Sequence, residues 1–264
     1  MSTYVFEDIG ERPYQEDRHI VDEFTLPGFR FFAIFDGHGG DKVSNFLKIH
    51  FKNILFGLLN KKTLYSVTEC TNCLYKTFEI VNSILPRHIS MFCGSTAIVV
   101  LQHQNYIHVA NIGDSRAIMN EYNTPISLSK DHKPEDIEEH TRIVNSNGFV
   151  TKDGFGTCRV NGTLAMSRAV GDFYLVPYIS NIPDVRSFII DPAINNYIIM
   201  ASDGIWDTIS NQEVINFVYD YLIEDNYTFK PKQHIALCRN IFALCRIRGS
   251  TDNATFILIN TRVM

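Results

Sequence analysis

The stretch FFAIFDGHGG occupies residues 31–40 of this 264-residue chain. Aromatic and β-branched residues dominate positions 29–35, which predicts a buried strand, and Asp36-Gly37 predicts the turn that ends it. The same order, an apolar run and then an acid beside a glycine, recurs at residues 197–204 (YIIMASDG) and 109–114 (VANIGD). The pattern therefore places acids repeatedly at the ends of buried strands.

Four acids share this kind of position. Asp36, Asp114 and Asp203 follow predicted strands, and Asp252 lies just before one. A single Asp beside a Gly is ordinary turn chemistry. Several carboxylates that converge at the edge of a core repel one another unless a cation lies between them. Carboxylate oxygens select Mg²⁺ or Mn²⁺ over zinc, so the sequence predicts a divalent metal site.

Glycines and two further side chains fit an anionic substrate beside such a site. Because Gly37 has no Cβ, a backbone carbonyl can approach a metal there, and the glycines at 39 and 40 leave room for an anion. Arg12 is a bidentate partner for phosphate, although a surface ion pair explains it equally well in isolation. His38 is flanked by glycines and can protonate a leaving group near neutral pH.

The remaining pattern predicts an α+β fold. Strands are predicted at residues 29–35, 96–101, 106–111, 185–190, 197–201 and 255–260. Apolar stripes at helical spacing occupy 43–58 and, more loosely, 64–81. A capping box at Ser210 and Glu213 opens a third helix, and a fourth runs from about 231 to a stop at Gly249. The gaps between paired strands are too short for crossover helices, which indicates antiparallel sheets covered by helices.

Composition excludes several classes of protein. The net charge of −5 argues against a nucleic-acid binder, and 45% hydrophobic residues indicate a globular chain. No apolar run approaches the length of a membrane span, the N-terminus does not resemble a signal peptide, and Ser2 stands where N-myristoylation needs glycine. We therefore expect a single domain over residues 1–264, monomeric, without membrane or nucleic-acid partners, in the cytoplasm, the nucleus or both.

The sequence lacks the motifs of three other catalytic classes. A cysteine-based phosphatase needs an Arg at a fixed spacing after its Cys, and none of the six cysteines has one. Residues 39–42 (GGDK) lack the Gly-Lys pair of a P-loop. A serine-hydrolase elbow must open into a helix, whereas residues 117–119 predict a strand. The cysteines lack paired zinc spacing and are interpreted as packed, reduced thiols.

Eight short segments follow one another between residues 10 and 253. They are 10–17 (GERPYQED), 35–40 (FDGHGG), 94–97 (GSTA), 110–117 (ANIGDSRA), 128–134 (LSKDHKP), 159–172 (RVNGTLAMSRAVGD), 201–207 (ASDGIWD) and 249–253 (GSTDN). In order and content they resemble the metal-dependent serine/threonine protein phosphatases of type 2C, the PPM family. The resemblance implies a central sandwich of two antiparallel β-sheets, flanked on each outer side by antiparallel helices.

The resemblance also implies a centre of two Mn²⁺ or Mg²⁺ ions in a cleft, with a third, weaker ion. The implied ligands are Asp36 bridging both metals, Asp203 and Asp252 completing one site, the Gly37 carbonyl serving the other, Glu16 and Asp17 acting through waters, and Asp114 with Asp203 at the third position. In the family, a hydroxide between the two metals attacks phosphorus directly.

Three side chains outside the metal set also match family positions. Arg12 resembles the phosphate clamp and His38 the general acid. Arg159 resembles the Arg in the region that links the core to a flap formed around residues 133–158. The chain departs from the family at Asn147-Gly148, where a doubled glycine is usual, which puts substrate preference and not catalysis in doubt.

These observations favour a phosphatase that hydrolyses phosphoserine and phosphothreonine in proteins. Two alternatives stay open at this point. A catalytically silent member of the same fold could bind partners, although all the metal acids are present. A phosphatase of small phosphorylated metabolites would use the same cleft chemistry.

Overall fold

The computed structural model describes residues 3–60, 65–191, 196–224 and 231–261. Its strands are β1 (Thr3–Asp8), β2 (Arg18–Asp22), β3 (Phe29–Phe35), β4 (Gly37–His38), β5 (Gly94–Ser95), β6 (Ala97–His103), β7 (Tyr106–Ile112), β8 (Arg116–Glu121), β9 (Thr124–Ser127), β10 (Val150–Lys152), β11 (Cys158–Val160), β12 (Val170–Gly171), β13 (Asp184–Ile189), β14 (Tyr197–Ala201) and β15 (Ala254–Asn260). Its helices are α1 (Lys42–Leu59), α2 (Val67–Ile84), α3 (Arg87–Ser90), α4 (Ile137–Asn145), α5 (Asp203–Trp206), α6 (Asn211–Glu224) and α7 (Pro231–Ile247).

The strands form two large antiparallel sheets. One has the order β1-β15-β14-β8-β9, and the other has the order β13-β7-β6-β3-β2. A three-stranded sheet, β12-β5-β4, and the hairpin β10-β11 complete the pairing. The predicted strands at 29–35 and 197–201 are confirmed to the residue, and the other predicted strands differ by one or two residues at their ends.

Strand β3 shows why the sheets form the middle of the molecule. All seven of its residues are buried. Side chains alternate between the two faces of a strand, so Phe31 and Phe35 join the core under the helices, while Phe32 and Ile34 join the core between the sheets. Residues 31–35 are accordingly apolar without interruption, as a strand covered on both faces requires, while the charged Arg30 of β3 is paired with Glu23 at 2.7 Å.

Two helices cover each outer face of the sandwich. α1 and α2 pack on the sheet that contains β3, and the rings of Phe51 and Phe78 meet edge to face at 4.9 Å. α6 and α7 pack on the sheet that contains β14 and β15. The expected fold class, including the helices on both sides, is confirmed. Among the helices of the described ranges, none is both long and apolar enough to cross a membrane.

The predicted helix ends are confirmed by their capping contacts. The Glu213 carboxylate accepts from the Ser210 backbone N at 2.9 Å, and the Glu213 N donates to Ser210 Oγ at 3.3 Å, just before α6 begins. At the end of α7, Gly249 has a φ of +91°. Its N donates to the Arg246 carbonyl, while the next N donates to the Cys245 carbonyl, which is a Schellman stop.

Helix α4 and the hairpin β10-β11 form a small unit with its own core of Ile143, Val160, Met166 and neighbouring residues. The flap, expected around residues 133–158, continues to residue 164 because β11 extends to Val160 and Val160 pairs with Leu164; we call residues 133–164 the flap. Asn147 ends α4 with a φ of +64°. Asn tolerates this left-handed conformation, so it can stand where the family usually has glycine.

Candidate active site

The acids singled out from the sequence lie where strands end. Asp36 follows β3 directly, Asp114 lies in the turn between β7 and β8, and Asp203 is the first residue of α5, just after β14. Asp252 lies two residues before β15. The charges of Asp114, Asp203 and Asp252 all act on Asp36, so the fold brings the four together.

Asp36 is the central acid of the cluster. Its backbone is fixed by Thr96, whose N donates to the Asp36 carbonyl at 2.8 Å and whose Oγ1 accepts from the Asp36 N at 3.1 Å. Burial, and after it the neighbouring charges of Asp17 and Asp203, raise the pKa of Asp36 well above its usual value. Burial and the charge of Asp114 likewise raise the pKa of Asp203 well above normal.

Asp17 joins the cluster from the position just before β2. Its side chain is 1% exposed. Oδ2 accepts from Thr255 Oγ1 at 2.7 Å and from Ser202 Oγ at 2.9 Å, while Oδ1 has no hydrogen-bond partner among the described residues. Burial raises the pKa of Asp17 to about 6 even though both hydroxyls favour the charged form.

Glu16 and Gly37 are packed against each other at the start of α1. The Glu16 carbonyl accepts from Ser44 Oγ at 2.6 Å, and its N donates to Asn253 Oδ1 at 2.8 Å. A Cβ at position 37 would lie 2.7 Å from Ser44 Oγ and 2.8 Å from the Glu16 carbonyl oxygen. The close approach explains why glycine is needed here.

Two basic side chains form ion pairs with acids of the cluster. Arg12 Nη2 lies 2.7 Å from Asp252 Oδ2, and this pair is half-exposed. Lys133 Nζ lies 2.6 Å from Asp114 Oδ2 and 3.6 Å from Asp207 Oδ1. Burial alone would lower the pKa of Lys133, but the carboxylates of Asp114 and Asp207 outweigh it, so the pKa is raised.

His38 faces a carboxylate that the sequence analysis did not assign. Its Nε2 donates to Asp172 Oδ2 at 2.6 Å. Burial works to lower the pKa of His38, but the hydrogen bond and charge of Asp172, with weaker help from Asp114 and Glu16, raise it. His38 is therefore held near the acids with its proton favoured.

Arg159 is the one candidate that the structure keeps apart from the acids. It lies on β11 within the flap, where its Nε donates to Asp153 Oδ2 at 2.8 Å and its Nη1 to the Thr163 carbonyl at 3.1 Å. These contacts hold the flap hairpin together. A role for Arg159 toward substrate stays a prediction.

The donor set fits divalent cations of the magnesium and manganese type. Asp36 and Asp203 resist ionisation because of burial and like charges, and Oδ1 atoms of Asp17 and Asp114 are buried without partners among the described residues. A bound cation would satisfy these oxygens. Among the described residues, no group of three or more Asp, Glu, His or Cys side chains is already arranged to hold a metal ion. The acids instead take protein partners, with Asp252 on Arg12 and Asp114 on Lys133.

Sequence reasoning missed Asp172, Lys133 and Asp207 as members of the site. All three stand inside segments that were quoted for the resemblance, at 159–172, 128–134 and 201–207. The Asp207 side chain is mostly exposed, and its Oδ1 lies 3.6 Å from Lys133 Nζ. The sequence did show each of them as a charged residue inside a matched segment, but the partner of each could not be identified without the fold.

With this geometry, the comparisons with known proteins identify the family. The sequence model described as Protein phosphatase 2C matches residues 14–254. A rice (Oryza sativa subsp. japonica) protein described as "Probable protein phosphatase 2C 7" is 38% identical over 95% of this chain and 63% of its own length. The mouse (Mus musculus) "Integrin-linked kinase-associated serine/threonine phosphatase 2C" is 32% identical over 97% of this chain and 71% of its own length. The chain belongs to the protein phosphatase 2C family.

A solved structure agrees with the fold. Serine-threonine phosphatase 2C from Toxoplasma gondii superposes with a TM-score of 0.84 at 24% identity, over 98% of this chain and 94% of that one. The chain spans less than two thirds of the rice relative, so activity and partners are treated below as proposals.

Proposed function

We propose that the chain is a metal-dependent protein phosphatase that removes phosphate from phosphoserine and phosphothreonine in proteins. The observation that carries the proposal is the cluster of carboxylates around Asp36, of which Asp17 and Asp114 are buried and Asp36, Asp203 and Asp252 are half-buried, with His38 and Arg12 at its margin. Membership of the family supports the same reaction. We further propose two Mn²⁺ or Mg²⁺ ions per chain and a third, weaker one.

Each proposed ligand has a position consistent with its role. Asp36 would be shared between two ions, Asp203 and Asp252 would complete one site, and the Gly37 carbonyl would serve the other with Glu16 and Asp17 behind it. Asp114 and Asp203 would hold the third ion, and Asp207 lies close enough to Asp114 to take part. Divalent cations bound here would act as Lewis acids on phosphate. They would also lower the pKa of a bound water molecule to near neutrality.

The protein's own groups would do three things. Arg12 is half-exposed and carries a planar fork of donors, so it can bind two phosphate oxygens and offset their charge. His38 would give a proton to the departing serine or threonine oxygen, whose alkoxide is a poor leaving group. Thr96 would keep the backbone of Asp36 in place, and Ser202 and Thr255 would hold Oδ2 of Asp17.

The test measures hydrolysis of p-nitrophenyl phosphate and of a phosphothreonine peptide with Mn²⁺, with Mg²⁺ and with EDTA. Metal-dependent turnover of both substrates, lost in Asp36→Asn, is expected. Asp22→Asn is the matched control, because Asp22 is a buried aspartate paired with Lys52 at 2.7 Å, away from the acid cluster. Folded, metal-supplied protein that turns over neither substrate would overturn the proposal and favour a binding role. Turnover of phosphorylated metabolites but not of the peptide would change the substrate class.

A further inference from the structure

The contact between His38 and Asp172 joins two parts of the chain that are 134 positions apart. His38 lies on β4, and Asp172 follows β12, while β5 lies between these strands in the small sheet. The Nε2 to Oδ2 distance of 2.6 Å is short for a nitrogen donor, as expected when both groups carry charge. Asp172 is only 2% exposed.

The backbone is built to make this contact. Asp172 has a φ of +47°, in the left-handed region that costs a non-glycine residue free energy. Its N donates to the Cys93 carbonyl at 3.2 Å, and its carbonyl accepts from the Leu175 N at 2.8 Å. These bonds hold Asp172 in an unfavourable conformation that aims its carboxylate at His38.

The strand between them leaves room for the contact. A Cβ at Gly94 would lie 2.0 Å from Asp172 Oδ2 and 2.5 Å from His38 Nε2. Both distances are far below van der Waals contact, so any other residue at position 94 would push the pair apart. The space above Gly94 is therefore filled by the contact between the imidazole and the carboxylate.

We propose that Asp172 is the positioning residue of His38: it holds Nε2 and so fixes the orientation in which the imidazole acts as the general acid. The proposal rests on the proposed phosphatase function and adds a residue to it. Within the described ranges Nδ1 has no hydrogen-bond partner, and it is shielded from solvent. Asp172 is therefore the one hydrogen-bond partner of the imidazole nitrogens among the described residues.

The proton transfer to the leaving oxygen balances with this arrangement. As the bond between phosphorus and the serine or threonine oxygen breaks, the electron pair goes to that oxygen, which takes a proton from the His38 imidazolium and leaves as the alcohol. The ring is then neutral, and its contact with the Asp172 carboxylate remains. The carboxylate keeps the ring orientation through the whole step and never takes the proton itself.

The experiment compares two substrates that differ in their need for a proton. The leaving oxygen of a phosphothreonine peptide needs protonation, whereas nitrophenolate does not. We expect Asp172→Ala to lower kcat on the peptide by about 10- to 100-fold, the range of general acid catalysis lost through misorientation, and to change kcat on p-nitrophenyl phosphate by less than about three-fold. Asp172→Asn should recover part of the loss, because its amide oxygen can still accept from Nε2.

A double variant separates positioning from a structural role. If Asp172 acts through His38, then His38→Ala/Asp172→Ala is no slower on the peptide than His38→Ala alone. Asp22→Ala serves as the matched control for loss of a buried carboxylate, with thermal unfolding measured on every variant. Equal losses on both substrates, or losses that multiply in the double variant, would overturn the positioning role. Wild-type protein without metal-dependent turnover would instead overturn the phosphatase function on which it rests.

Discussion

Substitution Asp17→Asn should stabilise the metal-free protein. The Asp17 carboxylate is buried, and burial raises its pKa from 3.8 to about 6. The unfolded chain ionises at the lower pH, so the penalty on the fold is absent below pH 3.8, grows as the pH rises, and is complete above pH 6. The shift corresponds to about 3 kcal/mol at pH 8, since each unit of pKa is worth about 1.4 kcal/mol.

Asparagine is a suitable replacement at this position. Its Oδ1 can accept from Thr255 and Ser202 as the carboxylate oxygen does now. Its amide nitrogen takes the place of the Oδ1 atom that has no partner among the described residues. The variant therefore removes the charge and keeps the hydrogen bonds.

The assay is urea unfolding in EDTA at two pH values. The free energy of unfolding should rise by about 3 kcal/mol at pH 8 and by about 1 kcal/mol at pH 4.5. With saturating Mn²⁺ the order should reverse, because the wild type gains more from binding a cation. A gain that is the same at both pH values, or no gain in EDTA, would refute the electrostatic reasoning.

Asp22→Asn provides a control of opposite sign. Burial would raise the pKa of Asp22, but hydrogen bonds from Lys52, Thr25 and Phe24 outweigh it and lower the pKa to about 2. A depressed carboxylate stabilises the fold above pH 3.8, and this contribution is lost as the pH falls through 2. The variant should therefore lose about 2 kcal/mol at pH 8.

Three further outcomes are expected. Asp36→Asn should lower kcat by more than about 10²-fold with Mn²⁺ present, because it removes a charged oxygen of the acid that both metal ions would share. Circular dichroism should show an unchanged fold. His38→Ala should slow the phosphothreonine peptide by about 10²-fold and spare p-nitrophenyl phosphate; equal losses would remove His38 from the acid role. Arg12→Ala should raise KM for the peptide by roughly ten-fold through loss of a charge-assisted hydrogen bond, while an unchanged KM would show that Arg12 serves only its ion pair with Asp252.

Much of the fold could be predicted from local patterns. The unbroken apolar run at residues 31–35 places apolar side chains on both faces of a strand, and this predicts a central strand. The capping box at Ser210 and the stop at Gly249 depend on backbone groups a few positions away, so their energetics are local. The positions of the acids at strand ends could be predicted for the same reason, because a strand and the turn that follows it are local patterns.

The partners of the site residues could not be predicted in this way. The sequence contained His38 and Asp172, but their contact depends on β4, β5 and β12 meeting in one small sheet. Lys133 could be recognised as a charged residue in a matched segment, while its position against Asp114 depends on how the flap joins the core.

The sequence by itself determined which segments become strands and helices, and that acids stand at strand ends, because hydrophobic periodicity and turn chemistry act over a few residues. Only the tertiary structure decided which charges share the site. The packing of two sheets sums weak contacts along the whole chain, and it brings Asp17 against Ser202 and Thr255 from segments more than 180 positions away. Those distances, and the low dielectric of the packed interior, set the pKa values on which the proposed chemistry depends.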